Sequence, residues 1–186
     1  NLVPRIGGRY SYYSSTTGTG TSLNEQTRFI FNTGTEASVK LSRVFPQYKS
    51  NIFDARGLKH VVVPSVNYVF VPKPNARPNS IPQFDYDIPS LRMLPIDFPA
   101  FNAIDAIDTS NVMRVGLRNE LQTKRGEDEI VENLFYWNFF ADWRLHPEVG
   151  QDDFADMTSD INFRPRSWIN MGSQVRYSLE DEDYRL

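Results

Sequence analysis

Apolar side chains return at every second position along most of this sequence, a period that limits the chain to strands with one greasy and one polar face. Over residues 112–121, Met113, Val115, Leu117 and Leu121 fall on one side and Arg114, Arg118 and Glu120 on the other. Ile169, Met171, Val175, Tyr177 and Leu179 oppose Asn170, Gln174 and Arg176, and Ile161 and Phe163 oppose Asp160, Asn162 and Arg164. Ala37, Val39 and Leu41 likewise oppose Ser38, Lys40 and Ser42, while Ile6, Tyr10 and Tyr12 oppose Arg5, Arg9 and Ser11. The segments that carry the period are about ten residues long, which is what a tilted strand needs to cross a bilayer. No run approaches the roughly 18 apolar residues of a transmembrane helix. The densest, residues 134–141, is interrupted by Asn138 and followed by Asp142.

The pattern predicts about eight strands, near residues 2–13, 26–33, 36–46, 57–71, 111–123, 129–143, 155–165 and 168–180. Thr33-Gly34-Thr35 is read as the turn between the second and third, and Pro165-Arg166-Ser167 as a tight hairpin turn. These short joins, with another around Gly126, alternate with long polar ones over 14–25 and 71–111. Long and short loops at opposite ends are how outer-membrane barrels are built. Residues 72–110 hold most of the 12 prolines, and a residue that cannot donate to a ladder marks this stretch as a long loop. Its scatter of Ile81, Phe84, Tyr86, Ile88, Leu91, Leu94, Phe98 and Phe101 predicts that the loop packs against something. Aromatic residues near predicted strand ends (Tyr12, Tyr13, Phe45, Tyr48, Tyr68, Phe70, Trp137, Trp143, Trp168, Tyr177) fit interfacial girdles, although strands in general also favour aromatics.

The expected fold is therefore all-β: one segment, 1–186, of an antiparallel transmembrane β-barrel, with the loop 72–110 inserted between strands. Two other folds share the pattern. A self-contained eight-stranded barrel, porin- or adhesin-like, would close by pairing the Tyr10 and Val175 strands. A soluble β-sandwich would bind carbohydrate through exposed aromatics and bury its apolar rows against each other.

Lys+Arg 20 against Asp+Glu 23, evenly interspersed, leaves no basic stripe to neutralise phosphates, so nucleic acid is not an expected partner. Without cysteine there are no disulfides or thiolate metal sites in this segment. The chain opens Asn1-Leu2-Val3-Pro4, with no basic and apolar leader pattern, and is read as a piece of a longer protein.

The stretch 56–72 (RGLKHVVVPSVNYVFVP) sets a basic-His pair before an apolar run, with Pro64, Tyr68 and a closing Pro72. Ile81-Pro82-Gln83-Phe84-Asp85 follows, then Phe101-Asn102-Ala103-Ile104-Asp105-Ala106-Ile107-Asp108, then Val115-Gly116-Leu117-Arg118-Asn119. In this order the four segments resemble the barrel domain of the lipopolysaccharide-assembly protein LptD, also called organic solvent tolerance protein OstA, over about residues 54–145. The signature residues are His60, Pro64, Tyr68, Pro72, Pro82, Phe84, Asp85, Asp105 and Gly116. Ala103 and Ala106 stand where that family has Gly and Arg, so an ion pair made by that Arg does not carry over. The resemblance implies an outer-membrane barrel of about 26 strands that inserts lipopolysaccharide or a related glycolipid into the outer leaflet. It also implies a plug lipoprotein (LptE-like), a periplasmic bridge protein (LptA-like) and no enzymatic activity.

His60 and His146 are the only histidines, and neither has a second ligand at metal spacing, so no catalytic, cofactor or metal site is expected. His60 with Ser65 and Asp54 offers hydrolase residue types without a strand geometry to join them; His60 is read as a strand-end residue at the lumen or the membrane interface. Arg5, Arg9, Lys40, Arg114, Arg118 and Arg164 fall on the polar face, as a cationic lining for lipid phosphates or as ordinary lumen charges balanced by Glu120, Glu132 and Asp160. Pro4 and Pro64 weaken their strands and are candidates for a gate or a bulge. Residues 180–183, all acidic, read as a solvated loop after the last strand.

Overall fold

The computed structural model describes residues 1–18, 21–85, 93–97, 99–147, 150–179 and 183–185. One antiparallel sheet dominates it. Its strands are β1 (Leu2–Tyr13), β4 (Gln26–Ser38), β5 (Leu41–Ser50), β6 (Ala55–Val71), β7 (Ser110–Arg125), β8 (Ile130–Arg144), β9 (Phe154–Arg166), β10 (Ile169–Ser178) and β11 (Asp183–Arg185), with a separate small pair β2 (Thr16–Gly18) and β3 (Thr21–Leu23). Neighbours follow the order β1-β4-β6-β7-β8-β9-β10-β11, with β5 also on β6.

Thr33-Gly34-Thr35 is not a turn. β4 runs straight through it, paired on one side with Arg5 of β1 and on the other with Val69 of β6. A Cβ at Gly34 would run into the Tyr68 carbonyl, so the glycine serves close approach of three strands. β4 and β5 are one long strand in a single register: Ser38 faces Ser65 and, three residues on, Leu41 faces Val62. The gap between them lies opposite Pro64. Val39 donates its N–H to the Pro64 carbonyl (3.2 Å), but Pro64 has no N–H to return. Pro64 thus removes one ladder bond without parting the strands, and on its other side it faces Leu117. No bulge forms there. The bulges lie at Phe45/Lys49, Arg56/Leu58, Leu121/Gln122, Ala141/Trp143 and Ile169/Met171.

From β1 to β10 the connections sort by length. The turns 51–54, 126–129 and 167–168 lie at one end, and the long segments 14–25, 72–109 and 145–153 at the other. The acidic stretch corrects one expectation, because Asp183 opens β11 and faces Ser178; residues 180–182 lie outside the described residues.

Register sorts the faces as the alternation required. Leu2, Ile6, Tyr10 and Tyr12 of β1, Phe29 of β4, Val66 of β6, Val115 of β7, Trp143 of β8, Ile161 of β9 and Met171 of β10 share one face and stand exposed, Ile6 at 78%. No second sheet covers them among the described residues, so the dry two-layer core of a sandwich is absent. Nor do β1 and β10 pair, so the ring of a self-contained barrel is not closed. A compact 21.5 kDa protein exposes about 9,200 Å²; this chain exposes 12278 Å², about a third more. The buried apolar cluster lies on the other face: Ile30, Val69, Val71 and Ile107, with Ile96 against them, pressed between the sheet and the loop 72–109.

Candidate functional site

The loop 72–109 folds back over the polar face, and the arginines of that face hold it there. Arg28, on β4 between outward Thr27 and Phe29, is 1% exposed. Its Nε donates to the Ala76 carbonyl (2.9 Å), its Nη1 to those of Ile104 (3.2 Å) and Asp105 (3.1 Å), and its Nη2 to that of Ile107. A guanidinium has five N–H donors in a rigid fork, so one side chain gathers both arms of the loop onto the sheet. Asn75 extends the grip by imitating a strand partner: its Oδ1 accepts the Phe29 N–H (2.7 Å) and its Nδ2 donates to the Thr27 carbonyl (2.8 Å).

Above Arg28 the two loop motifs meet. The Asp105 carboxylate accepts the Tyr13 hydroxyl (2.6 Å) and the Phe84 N–H (3.0 Å), while the Asp105 N–H donates to Asp85 Oδ2 (3.0 Å). Gln83 Nε2 bridges the Pro78 carbonyl (2.7 Å) and that of Asp105 (3.3 Å). Asp108 pairs with Arg77 (3.3 Å). Each carboxylate thus satisfies loop backbone groups that would otherwise lie unpaired against the sheet.

The returning half of the loop is pinned by three more arginines. Arg5 pairs with Asp97 (2.5 Å) and donates to Asn67. Arg9 donates to the Ala100 carbonyl (2.6 Å). Arg114, 11% exposed, forks onto both oxygens of Asp142 (2.6 and 2.8 Å), donates to the Leu94 carbonyl (2.5 Å) and lies 5.9 Å from the Phe140 ring. Phe140 in turn sits over Gly116, where a Cβ would come within 2.7 Å of its ring.

All six cations expected on the polar face are there, but they do not form one lining. Arg5, Arg9 and Arg114 are consumed by the loop. Arg118, 45% exposed, pairs with Glu120 (3.2 Å). Arg164 donates to the Ser167 carbonyl (3.0 Å) near Glu132, and Lys40 is exposed in the gap between β4 and β5.

Of the signature residues, Phe84, Asp85 and Asp105 converge, with Pro82 half-buried just before them. Pro72 closes β6. Tyr68 lies on the apolar face between Thr35 and Met113. His60 is not at a strand end: it sits inside β6 on the apolar face, opposite Arg43 and Leu121. Trp137 likewise lies mid-strand, its Nε1 donating to Ser159 Oγ (3.0 Å). The loop packs through Ile81, Ala103 and Ile107, whereas Phe84 and Phe101 are exposed; Tyr86, Ile88, Leu91 and Phe98 lie outside the described residues.

The sequence pattern did not single out Arg28, and it placed Tyr13 only among the interfacial aromatics, not on Asp105. The signal for Arg28 was present: a lone charge in a stretch, 28–31, whose other three residues are apolar on both faces.

Beside this clamp, between the free edge of β1, β4 and the loop, lies a cavity of about 790 Å³. Ile6, Ile30 and Phe101 give it apolar walls and Arg5, Arg9 and Asp108 polar ones. Among the described residues no three His, Asp or Glu side chains converge as a metal site. No family model, curated protein or solved structure matches the chain.

Proposed function

We propose that this chain is a stretch of wall from an outer-membrane β-barrel whose work is to deliver lipopolysaccharide or a related glycolipid to the outer leaflet, as its resemblance to LptD implies. The observation that carries the reading is a single-layer sheet with one uncovered apolar face, one polar face filled by a loop, and edges that do not meet. In water such a face has nothing to cover it. Against acyl chains it needs no cover, and the ladders pair the backbone along most of the layer.

The dimensions fit. β7 and β8 are 16 and 15 residues long, beyond the roughly 9 to 11 that a tilted strand needs to cross. The turns gathered at one end and the long segments at the other match the two sides of an outer-membrane barrel. Because a strand edge open to hydrocarbon costs several kcal/mol per unpaired group, β1 and the β10 edge require further strands to complete the wall. The chemistry is binding and passage, without a catalytic residue. The partners are the glycolipid, a plug lipoprotein (LptE-like) filling the lumen and a periplasmic bridge protein (LptA-like) feeding it, and the location is the cell outer membrane.

The membrane half of the reading is tested with the protein reconstituted in vesicles carrying brominated acyl chains. Trp143, on the apolar face, is expected to be quenched; a water-soluble monomer whose tryptophans ignore the bromines overturns the assignment. The transport half is tested by depleting the protein in its own cell and measuring newly made lipopolysaccharide at the surface. Unchanged surface arrival after depletion, with the quenching observed, would leave a barrel of another function.

A further inference from the structure

At the tight-turn end, far from the loop clamp, three cations lie on one rung of the sheet. Lys49 faces Arg56 across β5 and β6, and Arg56 faces Lys124 across β6 and β7. Like charges directly opposite one another destabilise a sheet. Lys49 reaches the rung through a bulge: continuing the Phe45–Leu58 register would set Gln47 opposite Arg56, and the shift between Phe45 and Lys49 puts Lys49 there instead. A second, at Gly57 (φ +74°), turns the β6 side of the rung. Bulges re-aim side chains next to sites. Two rungs further in, past Leu58, Lys59 stands between Val44 and Gln122.

All four cations line one cavity of about 790 Å³, with Val44 and Val131 also in its wall. Its acids are Asp54 and Glu129, and Glu129 is taken by Lys124 (2.6 Å). Among the described residues no carboxylate comes within ion-pair distance of Lys49, Arg56 or Lys59. The groove therefore carries an excess of positive charge beside an apolar wall.

We propose that this groove binds phosphate-bearing ligands, their anionic oxygens spanning Lys49, Arg56 and Lys59 and any apolar part resting on Val44 and Val131. Arg forks and Lys ammonium groups are the donors that phosphate oxygens take. A bound dianion turns the mutual repulsion of the rung into attraction. The site stands independently of the barrel reading, since either can fail alone.

The test uses the full chain with two probes, inorganic pyrophosphate followed by titration calorimetry, and phosphatidylcholine vesicles with and without phosphatidic acid. Pyrophosphate binding that weakens about tenfold or more, some 1.4 kcal/mol, in Lys49→Gln/Arg56→Gln supports a free-phosphate site. A preference for phosphatidic acid vesicles that vanishes in the same variant, without pyrophosphate binding, supports a lipid headgroup. Lys49→Arg/Arg56→Lys should keep the binding, and Lys40→Gln, a cation of the same face elsewhere, should leave it unchanged. Without ligand, Lys49→Gln should unfold at a higher temperature than the parent, because it relieves the rung, which also shows that the variant folds. Binding of neither probe, or binding undiminished in the double glutamine variant, overturns the proposal.

Discussion

Arg28→Ala is the sharpest way to ask whether the loop is held by the sheet or merely lies on it. The substitution strips the carbonyls of Ala76, Ile104, Asp105 and Ile107 of their shared donor at a site where the arginine is 1% exposed. A buried acceptor left unpaired costs about 1–3 kcal/mol. Water entering the space vacated by the guanidinium will satisfy some of the four, so about 4 kcal/mol is a reasonable net loss, large for a single change. The loss falls on the loop alone, since β4 keeps its ladders to β1 and β6. Native-state hydrogen exchange therefore separates the outcomes. Amides of 74–108 that are protected in the parent should exchange about a thousandfold faster in the variant, while those of β7 and β8 hold their protection. Arg28→Lys keeps the charge but not the fork and should fall between. Loop protection that drops less than tenfold would refute the clamp, and loop and sheet opening together would refute the idea that the loop is a separately held unit.

Gly34→Val should destabilise the protein by about 1–3 kcal/mol, read from urea unfolding of the refolded protein, because its side chain meets the Tyr68 carbonyl. Gly8→Val is the control, with the nearest atom 3.8 Å from its Cβ position, and should cost little. Arg114→Met should cost about 3–5 kcal/mol by stranding the half-buried Asp142, and Arg114→Met/Asp142→Leu should recover much of it; equal losses in the single and double variants would show that the pair does not matter. The hydrogen bond from Lys124, then the charges of Lys124 and Arg56, hold the Glu129 carboxyl below its ordinary range. A depressed folded-state value means that whatever the pair adds is present above the ordinary carboxylate range and lost as pH falls through the lowered value. Carboxylate NMR should show Glu129 titrating at higher pH in Lys124→Gln, and an unmoved titration would deny the contact.

Alternation alone located each of the eight long strands and both faces, because a half-exposed strand repeats with period two whatever its neighbours are. It failed at Gly34, where a polar Thr-Gly-Thr run reads as a turn in isolation. Only the paths of β1 and β6 on either side reveal that the glycine is a point of close approach, and those are contacts made far away in sequence. Pro64 misled for a related reason: a missing N–H is a local fact, whereas its consequence depends on the partner strand, which here simply skips one bond. Bulges such as those at Lys49 and Gly57 leave no mark in a periodic pattern until the register is known.

The loop motifs were legible as segments but not as a site, and the difference lies in what binds them. Asp85 and Asp105 announce themselves as charges in an apolar, proline-rich stretch, yet their partners are mostly backbone N–H groups and one tyrosine on the first strand. Backbone partners have no sequence signature. The same holds for Arg28, whose targets are all carbonyls. The consequence is structural as much as inferential. A one-layer sheet has no opposing layer to give it a core, and here the loop 72–109 supplies one through Ile96 and Ile107 against Ile30, Val69 and Val71. That apolar contact is small, so the arginines do what a larger core would do elsewhere, fixing the loop by directed bonds to its backbone. A loop held in this way stays in register while the surfaces around it remain polar. The opposite, apolar face is left bare.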